Sequence, residues 1–164
     1  MLRVPLSFGR AHGDFRLTES GVVATKGVAG YIWRSAASKV AMRSGRHFAR
    51  FTVVEGESLF FGVVRPGWDV EGGAQAFHED GHCFFDTAHD GKRYSGNFDW
   101  QGKQTARGQG DRIGMLIDLD QGSMPVWKND AKLGVMQAAG LRGPLAAGRS
   151  RWSGRAAAHA LSRR

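Results

Sequence analysis

The sequence predicts an all-β fold in which two antiparallel sheets pack face to face as a sandwich. Apolar residues alternate over short runs, turn-forming clusters separate those runs at close intervals, and nothing has the length and periodicity of a long helix. The 164 residues hold 24 glycines against four prolines, a balance that suits many short strands joined by tight turns. A chain of this length makes one domain with a real core, and 41% hydrophobic and 23% charged residues are the proportions of an ordinary globular protein.

Residues 4–8 form a first short strand. Phe15-Arg16-Leu17-Thr18 and Val22-Val23-Ala24-Thr25 flank the turn Glu19-Ser20-Gly21. Tyr31-Ile32-Trp33-Arg34 makes another strand, and Ser35-Ala36-Ala37-Ser38 is at most one turn of helix. Strands at 40–43 and 46–54 surround Ser44-Gly45. In the longer one Ala49, Phe51 and Val53 share a face, and Phe48, Arg50 and Thr52 share the other. Residues 58–64 are almost continuously apolar, as in a central strand covered on both faces.

The most informative stretch is 110–135. Ile113, Met115, Ile117 and Leu119 alternate, and Asp120-Gln121-Gly122 supplies a turn in which glycine is free to take positive φ. Val126 and Trp127 fall in a second strand, Lys128-Asn129-Asp130 turns again, and Leu133 and Val135 begin a third. A three-strand meander follows from the residues alone. Residues 156–161 contain good helix formers and suggest a short terminal helix.

Gly110-Asp111-Arg112-Ile113-Gly114, Asp118-Leu119-Asp120 and Trp127-Lys128-Asn129, in that order, resemble the central signature of the SPRY domain. Ser44-Gly45-Arg46-His47-Phe48, Phe61-Gly62-Val63, Asp90-Gly91-Lys92-Arg93-Tyr94 and Gly143-Pro144-Leu145 resemble further segments of that family. The resemblance runs from about residue 21 to 145. It implies an antiparallel sandwich of concanavalin-like, jelly-roll type whose long loops gather at one end and bind partner peptides. It weakens after Leu145, where the family continues with an apolar closing strand. Here 146–155 shows no apolar alternation, so either Trp152 joins an unusual final strand or the closing strand is missing. The missing-strand case implies an open edge and poor solubility. The expected division is a sandwich domain over 1–147 and a basic tail over 148–164. Pro125 departs from the family pattern too, and its missing N–H predicts an edge position or a bulge.

The net charge of +8 is concentrated in Arg142, Arg149, Arg151, Arg155, Arg163 and Arg164; removing those six leaves +2 for the body. The expectation is a solvated tail and no specific nucleic-acid site. Cys83 is the single cysteine, excludes an intrachain disulfide, and reads as a buried, inert thiol in a strand. The absence of a leader-like start and of a long apolar run leads to the expectation of an intracellular, cytoplasmic protein without a membrane span.

Chemistry is expected on two loop regions. Residues 65–73 carry Arg65, Pro66 and Trp68, and residues 86–104 carry Arg93, Tyr94 and Trp100. Wide rigid aromatics beside guanidinium groups are the composition of peptide-binding surfaces, and the resemblance points to the same residues. Each also has a packing reading: Trp68 as a lid on the core, Arg93-Tyr94 as a turn against the sheet. His78, His82, Cys83 and His89 invite a metal test, but His82 and Cys83 point to opposite faces of a strand and the cysteine spacing of a zinc site is lacking. No cofactor or metal is expected. No nucleophile elbow or phosphate loop occurs, and Glu55 with Glu57 or Asp118 with Asp120 sit at turns that favour acids anyway. The expectation is a non-catalytic, adaptor-like module that binds a peptide segment of a protein partner. The alternative is a lectin-like sandwich with Trp68 or Trp100 stacked on a sugar.

Overall fold

The sequence forms strands wherever alternate residues can be buried. The computed structural model describes residues 5–27, 32–56, 58–94, 99–106, 108–151 and 160–161. In chain order the first strands are β1 (Pro5–Leu6), β2 (Arg10–Ala11), β3 (Phe15–Thr18), β4 (Val23–Lys26) and β5 (Arg34–Ala37). Then come β6 (Arg46–Thr52), β7 (Leu59–Val64), β8 (Cys83–Asp86), β9 (Arg93–Tyr94) and β10 (Arg112–Asp118). The last are β11 (Met124–Lys128), β12 (Ala131–Gln137), β13 (Ala146–Arg151) and β14 (Ala160–Leu161).

Two sheets make the sandwich. One has the order β2-β5-β13-β7-β8-β9 and the other β12-β11-β10-β6; both are open at their edges, and every pairing is antiparallel. The pairs β1-β14 and β3-β4 stand apart from them. Ala49 and Phe51 of β6, Ile113, Met115 and Ile117 of β10 and Val126 of β11 meet Leu59, Phe61 and Val63 of β7, Phe85 of β8 and Ala147 of β13. Phe51 and Phe61 stack across the layers with centroids 4.7 Å apart. The opposite face of β7 is covered too: Phe60 and Val64 join Phe84, Trp68, Val70 and Phe77 in a second cluster. That double coverage explains why β7 is apolar without alternation and buried at every position.

The motifs at the two turns are braces. Asn129 Nδ2 donates to Asp111 Oδ1 at 2.8 Å, and the Arg112 N–H donates to Asn129 Oδ1 at 2.9 Å. At the other end of β10, Asp118 Oδ1 accepts the N–H groups of Asp120 and Gln121. Each carboxylate satisfies donors that a tight turn leaves open.

Several expectations change. Arg34–Ala37 is strand rather than a helical turn, because it lies between β2 and β13 and its amides enter two ladders. Of 40–43 only Met42 pairs, in an isolated bridge with Leu145. Residues 160–161 are strand rather than helix; 156–159 lie outside the described residues. Pro125 sits in β11, between β10 and β12, so the edge reading fails and the bulge reading holds: the register shifts between Met124 and Pro125.

The largest correction concerns the closing strand. Ala146–Arg151, where no alternation could be read, is a strand, and it is central, paired with β5 on one side and β7 on the other. It crosses positions 147 and 148, where the expected tail begins. Arg149, counted above as a tail charge, is fully buried; its Nη1 donates to the Ala24 carbonyl at 2.6 Å and its guanidinium lies 5.0 Å from the centre of the Phe15 ring. Trp152 lies outside the described residues.

Cys83 faces the inter-sheet core, and burial pushes its thiol up to about 12. Thiol reagents at neutral pH are expected to leave it unmodified in the folded protein and to label it fully in denaturant. Rapid native labelling would contradict its burial.

Candidate functional site

The residues singled out by sequence do not converge on one surface. Arg93 pairs with Phe85 and Tyr94 with Phe84, so the two neighbours point to opposite faces of the sheet. Tyr94 lies on the outer face, stacked on Phe60 at 4.9 Å and edge-on to Phe77 at 5.5 Å. Arg93 turns toward the second sheet, where its Nη1 donates to Gln137 Oε1. With Gly81, His82, Gln137, Gly140 and Leu141 it lines a cavity of about 200 Å³. Trp100 also faces the sandwich edge, with its Nε1 donating to the Gly91 carbonyl at 2.7 Å and its ring edge-on to Phe85 at 6.2 Å.

The outer face therefore keeps Arg65, Pro66, Trp68 and Tyr94. Trp68 is only 8% exposed and packs into the second cluster beside Phe60, Phe77 and Phe84. Of its two readings, the lid is the one observed: its ring is already covered and offers little surface to a ligand. Pro66 is half-buried and Arg65 is 56% exposed, its Nη2 donating to Glu79 Oε2 at 3.2 Å. An ion pair this exposed holds its partner weakly.

Sequence reading missed the aromatic rim around Tyr94. Trp33 stacks on Phe60 at 4.6 Å and meets Phe77 edge-on at 4.6 Å. His78 is exposed and lies 4.6 Å from Phe77 and 6.2 Å from Tyr94. Half-buried Trp33 and Tyr94 with exposed His78 and Arg65 thus border a firmly packed aromatic floor. No short-range motif marks this set, because its members come from separate strands and loops. Burial, and secondarily the charge of Asp86, raises the Tyr94 phenol above its ordinary value, so it remains a neutral hydrogen-bonding group near neutral pH.

His82 is the bracket that holds this floor. Its Nδ1 donates to the Ala76 carbonyl at 2.8 Å and its Nε2 accepts the Arg65 N–H at 3.0 Å, which specifies the neutral tautomer. Both nitrogens are thereby engaged, and no cluster of three metal-ligating side chains occurs among the described residues. Burial holds its pKa below the usual histidine value, against the Ala76 hydrogen bond that raises it. As pH falls below about 6.5 the unfolded chain takes up the proton first, so stability drops until the folded imidazole is also protonated. The urea midpoint is expected to fall between about pH 7.5 and 5.5, and His82→Gln to flatten that slope. An unchanged slope in the variant would remove His82 as its source.

No protein-family model and no curated protein matches the chain. Solved structures do. The SPRY domain of human HERC1 superposes with a TM-score of 0.69 at 16% identity, covering 91% of this chain and 94% of that one. The chain has the SPRY-domain fold. The PSpry domain of TRIM65 gives 0.68 at 14% identity over 98% of this chain and 92% of its own, and a further human SPRY domain gives 0.65 at 16% over 90% and 94%. Identity this low carries the SPRY architecture and leaves the ligand to the residues themselves.

Proposed function

We propose that this SPRY-fold domain is a non-catalytic protein-recognition module that binds a short segment of a partner protein on the outer face of its six-stranded sheet. The observation that carries the reading is the half-exposed pair Trp33 and Tyr94, stacked on buried Phe60 of β7, with exposed Arg65 directly after that strand. Rigid aromatic anchors lose little conformational entropy on binding and expose apolar area to a ligand, while Arg65 can leave Glu79 for a carboxylate or carbonyl of the partner. Arg93 and Trp100, which face away, and buried Trp68 act through the scaffold rather than by contact.

The test is a peptide-display selection on the purified domain, followed by titration of the selected peptide. Tyr94→Ala is expected to weaken binding by about 2 kcal/mol, and Arg65→Ala to weaken acidic peptides selectively, with unchanged thermal unfolding for Arg65→Ala. Trp68→Ala instead lowers the melting temperature. Undiminished peptide binding in both the Tyr94 and Arg65 variants, or selective capture of glycans, would overturn the reading.

A further inference from the structure

The four-stranded sheet buries one face against the other sheet, and on its opposite face Phe48, Arg50, Arg112, Leu116 and Trp127 are half-buried and chemically organised. The register aligns Arg50 of β6, Gly114 of β10, Trp127 of β11 and Lys132 of β12 in one row, with Phe48 of β6 opposite Leu116 of β10 in the next. Phe48, Arg50, Arg112, Gly114, Leu116, Trp127 and Asp130 line a cavity of about 360 Å³. Its floor exists because position 114 has no side chain: a Cβ there would stand 2.7 Å from Phe48 Cζ and 3.6 Å from Trp127 Cβ. The two rings instead meet edge-to-face at 6.0 Å above the glycine.

Charge surrounds this apolar floor unevenly. Arg50 and Arg112, 40% and 42% exposed, share one carboxylate: Asp130 Oδ1 lies 3.3 Å from Arg50 Nη2, and Oδ2 lies 2.7 Å from Arg112 Nη2. Lys132 adds a third cation 5.9 Å from the centre of the Trp127 ring. Three cations thus face one acid. Asp130 sits at the tip of the β11-β12 turn, is 62% exposed, and can be exchanged at small cost for a carboxylate brought by a ligand.

We infer that the Phe48–Trp127 cavity is a second binding site, for an acidic peptide that places a large apolar side chain against the Phe48 and Trp127 rings and a neighbouring carboxylate between Arg50 and Arg112. Charge complementarity selects the acid, and the paired rings select an aromatic or long aliphatic side chain beside it. Asp130 is the internal competitor that the ligand displaces. The site is distinct from the Tyr94 surface and stands or falls separately from it.

The experiment uses the full chain and a fluorescein-labelled peptide with Trp-Asp-Glu at its centre, read by anisotropy, with a Trp-Asn-Gln peptide as the neutral control. The acidic peptide is expected to bind at least about tenfold tighter than the control, and Arg50→Gln with Arg112→Gln to remove that difference. Asp130→Asn, which tolerates the same left-handed backbone, tightens the acidic peptide several-fold, and Gly114→Ala, whose methyl would push the Phe48 ring out of place, weakens it by about tenfold. Tyr94→Ala leaves all of these values unchanged. Equal binding of the neutral peptide, weakened binding in Asp130→Asn, equal competition by inorganic phosphate or a short oligonucleotide, or loss confined to Tyr94→Ala would each overturn the assignment.

Discussion

Gly62→Ala is expected to unfold the domain or to leave it only marginally folded. Gly62 sits mid-strand in β7, opposite Phe84 of β8 and Gly148 of β13. A Cβ at this position would collide with the Cys83 carbonyl and stand 2.8 Å from Phe84 Cα. These are backbone atoms and cannot swing aside as a side chain can. Relief would require β7 and β8 to separate, and both faces of this strand pair are packed. Overpacking of this kind costs upward of about 3 kcal/mol, a large part of the 5–15 kcal/mol that holds a typical domain. Urea unfolding followed by near-ultraviolet dichroism measures it. Gly67→Ala is the control, since a Cβ there meets nothing within 4 Å. Equal stability of the two variants would mean that β7 and β8 are spaced more widely than the structure has them.

Arg149→Ala carries the second large effect, and it contrasts with Arg142→Ala. Both arginines lie in the basic C-terminal stretch, but Arg142 is exposed and Arg149 is fully buried. Truncating Arg149 removes the hydrogen bond to the Ala24 carbonyl, removes the contact with the Phe15 ring, and leaves a cavity beneath β3 and β4. Together these cost about 2–4 kcal/mol, whereas Arg142→Ala changes stability by no more than about 0.5 kcal/mol. The pair of unfolding curves also tests whether the fold extends past position 147. If Arg149→Ala were as stable as Arg142→Ala, the residues around 149 would be a solvated tail.

The legible parts of the fold share one property. In 112–119 alternate residues are large and apolar, and in 46–53 Phe51 and Val53 continue the face that Ala49 begins, so period two is visible before any partner is known, and the strands cover Arg112–Asp118 and Arg46–Thr52 of these runs. Where the structure departs from expectation, the inward residues are small or charged. In β13 the core side is Ala147 and Arg149, because Phe15, Phe61 and their neighbours already fill the space; in β5 it is Ala36, and no alternation survives. Sequence also pointed to the aromatic and cationic content of the loops at 65–73 and 86–104, but not to what those side chains meet. Arg93 and Tyr94 are adjacent in the chain and opposed across the sheet. The Phe48–Arg50 face was visible as an alternation, yet nothing local marked it as a cavity rather than a solvated surface.

By itself, then, the order of residues determined an antiparallel β architecture, its central apolar strand and its braced turns, since side-chain alternation and turn chemistry act between near neighbours. Tertiary structure alone decided that β13 lies mid-sheet, that Trp68 is covered while Tyr94 is half-open, and that Phe48 and Trp127 meet over Gly114. Those outcomes depend on which strands become neighbours, and residues distant in the chain share one packed volume only after the sheets have formed.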